Sequence, residues 1–181
     1  IISVPSGNFG NICAGILAKK LGLPIHHFVA ATNINDTIPR FMLDGIYNPK
    51  PSKATLSNAM DVGNPSNFIR IQELYKHDFL AFKKDFSSYT FSDEETLIAL
   101  RELYTKNQYI AEPHGAIGYL GLKEEMKKHG KSVGVFLETA HPIKFSDSVE
   151  EILSIKLPIP KQIESILDKE KKSLKISNYQ D

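Results

Sequence analysis

A single cysteine, Cys13, stands in 181 residues, so no internal disulfide can form and an oxidising compartment has nothing to stabilise here. A cytoplasmic setting is the simplest expectation. Charge of either sign is not in excess: 22 Lys and Arg against 21 Asp and Glu leave a formal +1. That balance gives no electrostatic case for nucleic acid or for an anionic membrane surface as a partner. No apolar run reaches the twenty or so residues of a transmembrane helix. Several catalytic signatures are missing as well. The six histidines are scattered, without H-E-x-x-H or a Cys/His cluster, so no metal is expected. There is no G-x-S-x-G elbow, no Gly-Lys-Ser/Thr P-loop and no G-x-G-x-x-G fingerprint. Cys13 falls in an apolar helical stretch, where packing suits it better than nucleophilic attack.

What is present is an ordinary globular composition, 41% hydrophobic and 24% charged, in a chain long enough to bury a core. The most informative stretch comes first. Residues 1–5 (IISVP) have the β-branched content of a buried strand, and residues 12–22 (ICAGILAKKLG) read as a helix closed by Gly22. Between them lies Ser6-Gly7-Asn8-Phe9-Gly10-Asn11. A strand that feeds a glycine loop opening a helix aims several backbone N–H groups at one point, with the positive end of the helix dipole behind them. Such a loop binds an anion, usually phosphate; the same hexapeptide also suits an ordinary tight turn. The chain starts at isoleucine, directly inside this apolar strand, which reads as a piece cut from a longer polypeptide.

Residues 25–32 (IHHFVAAT) form a second strand, and strand–loop–helix–strand is the signature of a parallel sheet with right-handed crossover. A short helix follows over 38–43, closed by Asp44-Gly45. Residues 46–67, rich in Pro, Ser, Asn and Gly, read as a functional loop. Helices are expected over 68–76 and 78–86, the latter with Phe79, Phe82 and Phe86 at helical spacing. The capping box Ser92-Asp93-Glu94-Glu95 opens another helix, running to Tyr104. Tyr109 to Ala111 is a short strand candidate, 114–128 a helix, and 132–137 (SVGVFL) the clearest buried strand after the first. That strand runs into Glu138-Thr139-Ala140-His141-Pro142, at what would be the carboxyl end of the sheet, where ligands of open α/β folds bind. A short helix over 147–155 and a C-terminal helix or tail complete the chain. The expected organisation is an α/β domain over 1–160, three-layered with a mostly parallel sheet flanked by helices, and an appendage over 161–181. His114 and His141 each adjoin a proline and suit a hydrogen-bonded structural role, or a pocket wall. Lys144 and Arg40 could meet an anionic substrate, although surface charge is the commoner role.

Five segments together resemble threonine synthase: VPSGNFGN (4–11), AATNINDTIPRF (30–41), TLSNAMDVGNPSNF (55–68), AEPHGA (111–116) and ETAHPIKF (138–145). That family belongs to the pyridoxal-phosphate enzymes related to the tryptophan synthase β chain, and converts O-phospho-L-homoserine and water into threonine and phosphate. The resemblance implies the large domain of that fold and pyridoxal 5'-phosphate as cofactor. It implies that Ser6, Gly7, Asn8, Phe9, Gly10 and Asn11 hold the cofactor phosphate. Thr139 would present a neutral hydroxyl to the pyridine nitrogen, and the segment from Glu112 to Ala116 would line the ring. The family's Schiff-base lysine lies upstream of the glycine loop, so no catalytic residue is expected in this chain. The missing N-terminal part would be its partner in the same polypeptide. Two other readings stay open: a stand-alone anion- or nucleotide-binding module, and a non-catalytic relative.

Overall fold

In the computed structural model, residues 1–170 and 172–175 are described. Four parallel strands form one sheet in the order β3-β2-β1-β4, with β1 at Ile2–Pro5, β2 at Phe28–Thr32, β3 at Phe86–Thr90 and β4 at Val135–Phe136. The helices are α1 Gly10–Lys20, α2 Thr37–Asp44, α3 Phe68–Leu74, α4 Phe79–Asp85, α5 Asp93–Asn107, α6 Pro113–Met126, α7 Ser146–Leu153 and α8 Lys161–Leu167.

The alternation of β2 divides the core. Phe28 and Ala30 turn to one face and join Val4, Phe86, Ile12 and Ile16 of α1, Phe41 of α2, Phe68 of α3 and Phe82 of α4. Edge-to-face rings, Phe41 against Phe68 at 5.1 Å and Phe68 against Phe82 at 6.0 Å, fill this layer. The other face is covered by α6. A Cβ on Gly121 would lie 2.7 Å from Ala31 Cβ and 3.1 Å from Ser3 Oγ, so only glycine lets the helix sit this close to the sheet. Ser3 Oγ donates to the Gly118 carbonyl at 2.7 Å across the same contact. Behind α6 lie α5 and α7, whose Leu100, Leu103, Val149 and Leu153 form a second cluster with Ala116. The three-layer parallel architecture is therefore present.

Several elements differ from the sequence reading. The helix expected to run through Phe86 ends at Asp85, and Phe86 opens strand β3 instead. No strand forms at Tyr109–Ala111, where the chain joins α5 to α6. The strand expected over 132–137 pairs only at Val135–Phe136, and it is an edge rather than buried: Val135 is 47% and Val133 82% exposed. β2 begins at Phe28, three residues late, although the His27 carbonyl still accepts the Ile2 amide at 3.0 Å. The capping box is present in full, Ser92 with Glu95. Of the expected C-terminal helix or tail, Lys161–Leu167 is α8, while 171 and 176–181 lie outside the described residues.

Candidate functional site

The carboxyl ends of β1 and β2 carry the loops that matter. Ser6 continues the ladder by donating its amide to the Ala31 carbonyl at 2.8 Å, and the chain then turns into α1. Phe9, the residue that caps α1, has φ 62° and ψ 17°, a left-handed conformation that costs a side-chain-bearing residue free energy. Burial of its ring, 3% exposed and edge-on to Phe68 at 6.0 Å, holds it there. Asn8 Oδ1 accepts from the Ser66 amide at 2.6 Å, and Asn67 Nδ2 donates to the Asn8 carbonyl at 3.0 Å. With Ser6 tied to the sheet, Phe9 to the core and Asn8 to the start of α3, the loop is fixed at three points. Among the described residues, no acceptor meets the amides of Gly7 through Ile12.

The long segment between α2 and α3 is pinned over this loop. Asn33, 1% exposed at the end of β2, donates to Thr55 Oγ1 at 2.9 Å and Asp61 Oδ1 at 2.8 Å. Asn35 Nδ2 donates to the Lys53 carbonyl at 3.0 Å, and its Oδ1 accepts the Lys53 amide at 2.8 Å. The result is a short 3₁₀ turn, Asn58–Met60, whose Met60 is 4% exposed. Arg40 is committed to holding its own neighbourhood, with Nε 2.9 Å from Asp36 Oδ1 and Nη2 2.8 Å from the Asn48 carbonyl.

A cavity of about 230 Å³ opens where these pieces meet. Ser6 to Asn11 and Thr139 line it, together with Ala59, Met60 and His114; of the segment from Glu112 to Ala116 only His114 is in that lining. No carboxylate and no lysine is in that lining. Six amides without acceptors at the start of a helix, beside a cavity whose lining holds no carboxylate, suit a phosphate group. Ala59 and Met60 were not singled out by the sequence, though the composition of their segment marked it as functional. His114 was offered as structural or as a pocket wall, and it is both.

Beside the cavity lies a pair of buried carboxyls. Glu112, fully buried, caps α6: its Oε2 accepts the His114 amide at 2.9 Å and its Oε1 the Gly115 amide at 2.9 Å. Glu138 lies flat against Gly115, and neither of its oxygens has a hydrogen-bond partner among the described residues. Burial, then the Glu112 charge, push the Glu138 carboxyl up to about 8. At neutral pH it is mostly the uncharged acid. Burial raises the Cys13 thiol too, against an opposing pull from the Arg70 charge. Among the described residues no group of three His, Cys, Asp or Glu is placed to hold a metal ion, and no helix is long and apolar enough to cross a membrane.

Residues 1–138 match the family described as pyridoxal-phosphate dependent enzyme, and residues 115–181 match the one described as threonine synthase, C-terminal. The chain belongs to the pyridoxal-phosphate dependent enzymes. Within that class its relatives are threonine synthases. It is 51% identical over 164 residues to the threonine synthase of Haemophilus influenzae, covering 91% of this chain and 38% of that protein. The crystal structure of threonine synthase from Escherichia coli superimposes with a TM-score of 0.86 at 47% identity, over 92% of this chain and 38% of that one. A structure of PLP-bound threonine synthase from Brucella melitensis gives 0.83 at 32% identity, over 90% and 40%. The chain thus spans about 38% of the length of the first two of these relatives.

Proposed function

We propose that this chain works as part of a threonine synthase, in which it holds the phosphate and the ring of pyridoxal phosphate, and that the whole protein converts O-phospho-L-homoserine and water into threonine and phosphate. The observation that carries this reading is the convergence of the Ser6–Asn11 loop and Thr139 on one cavity lined by no carboxylate. Bound there, pyridoxal phosphate supplies an electron sink for negative charge developing on the substrate's carbon atoms. The amides of Gly7 through Ile12 hold its phosphate, and the dipole of α1 adds to their pull. Thr139 offers a neutral hydroxyl to the pyridine nitrogen. Unlike a carboxylate, a hydroxyl brings no charge to favour a proton on that nitrogen, which keeps the sink moderate. Met60 and the buried Phe9 close the wall behind the loop against water.

The covalent anchor of the cofactor and the group that moves protons along the substrate come from outside this lining, because no lysine is among its residues. Neither a stand-alone nucleotide-binding module nor a non-catalytic relative finds support among the matched proteins. The test is phosphate release from O-phospho-L-homoserine, with threonine measured alongside. The full-length protein loaded with pyridoxal phosphate is expected to form the two products in equal amounts. Residues 1–181 alone are expected to give no phosphate above background. Products from the short chain, or none from the full-length protein, would refute the proposal.

A further inference from the structure

His114 bridges two elements that are 55 residues apart in the chain, and the bridge fixes where its proton sits. The Ala59 amide points at His114 Nε2, 3.2 Å away. A backbone N–H can only donate, so Nε2 accepts and carries no hydrogen. The other ring nitrogen, Nδ1, faces Glu112 Oε2 at short range. A carboxylate only accepts, so Nδ1 bears the proton. Glu112 is itself locked by the two amides that open α6, and the His114 ring packs 4.9 Å from the ring of Phe145. The imidazole, 3% exposed, therefore has one orientation and one tautomer.

Ala59 precedes Met60, and Met60 Cα lies against Gly7, where an added Cβ would come within 2.6 Å of it. The path runs from the Glu112 cap through His114 to the 3₁₀ turn, and from that turn to the back of the glycine loop. We propose that His114 is a positioning residue: through its bare Nε2 it fixes the Asn58–Met60 turn behind the Ser6–Asn11 loop and so sets the amides that receive the phosphate. The structural half stands on the hydrogen bonds alone; its consequence for pyridoxal phosphate rests on the proposed function.

Two variants of the full-length protein separate this role from simple filling of space. His114→Gln places an amide oxygen near the position of Nε2 and keeps an acceptor for Ala59. His114→Asn reaches only as far as Nδ1 and leaves the Ala59 amide unpaired. Hydrogen exchange of the Ala59 amide, read without cofactor, is expected to quicken about tenfold in His114→Asn and to stay within about threefold of native in His114→Gln. Pyridoxal phosphate affinity is expected to follow the same order, falling about tenfold in the Asn variant. Equal behaviour of the two variants, or native exchange in both, would overturn the proposal. If the exchange order holds but the native protein does not bind pyridoxal phosphate, the proposed function fails while the His114 bridge stands. Nitrogen NMR of the native imidazole needs no variant: a protonated Nδ1 with a bare Nε2 is expected, and a proton on Nε2 would overturn the assignment.

Discussion

Replacing Gly7 by alanine in the full-length protein is expected to weaken pyridoxal phosphate binding about a hundredfold, a loss of about 2.7 kcal/mol. The added Cβ would lie 2.6 Å from Met60 Cα and 3.1 Å from the Ala59 carbonyl oxygen. Both are backbone atoms, and the turn that carries them cannot yield easily. It is tied to α6 through His114 and to the end of β2 through the Asn33, Thr55 and Asp61 network. The glycine loop must move instead. Overpacking of this kind costs about 1–3 kcal/mol in strain. The displacement also spoils the aim of the amides from Gly7 to Ile12. Gly130→Ala is the control, since a Cβ there meets nothing within 4 Å. Titration of cofactor absorbance checks both variants, with the control expected within twofold of native. Native affinity in Gly7→Ala would mean that this loop does not set the phosphate position.

The second large effect is on stability, far from the cavity. Removing Glu125 by Glu125→Ala is expected to destabilise the protein by about 3 kcal/mol in denaturant melts at pH 7. Its carboxylate, on a residue only 3% exposed, accepts from Ser87 Oγ and Tyr89 Oη at 2.6 Å each and from His129 Nε2 at 2.8 Å, with His27 Nε2 3.6 Å away. Burial pushes this acid up, but hydrogen bonds from Ser87, Tyr89 and His129 and the charge of His27 outweigh it and hold it down to about 2. The sign follows from proton counts. Above the ordinary value of 4.5 the group is ionised whether folded or not, and the full contribution is present. Between 4.5 and about 2 the unfolded chain binds a proton that the folded chain does not, so stability falls with pH. The gap between native and Glu125→Ala should be widest above pH 5 and should close as pH falls toward 2. A constant gap across that range would show that the network does not depend on the charge.

How much of this was legible in the sequence varies with the distance over which the physics acts. The glycine loop, the capping box and the strand–loop–helix–strand order are local, and residues within a few positions of one another determine them. Strand β3 was hidden because Phe79, Phe82 and Phe86 have the spacing of one helical face. Its remaining residues, Ser87 to Thr90, are too polar to mark a buried strand. Their polarity has a use that only the fold reveals, since Ser87 and Tyr89 reach across to Glu125 on α6. The run over 132–137 misled in the opposite sense. Its apolar content suggests burial, yet β4 pairs only with β1 among the described residues, and Val133 and Val135 face outward. The cavity was half legible. The loop and Thr139 could be singled out from residue types and family resemblance, and the structure brings them together. Ala59, Met60 and the orientation of His114 could not, because a contact between residues 55 positions apart leaves no periodic or local signal.

The central claim is that the amides of Gly7 through Ile12 receive the phosphate of pyridoxal phosphate, and a crystal structure of the full-length protein grown with that cofactor tests it most directly. The account predicts the phosphate at the N-terminus of α1, with several of these six amides within hydrogen-bonding distance of its oxygens and Thr139 beside the pyridine nitrogen. Cofactor density with its phosphate bound elsewhere, and the loop amides facing only water, would contradict it.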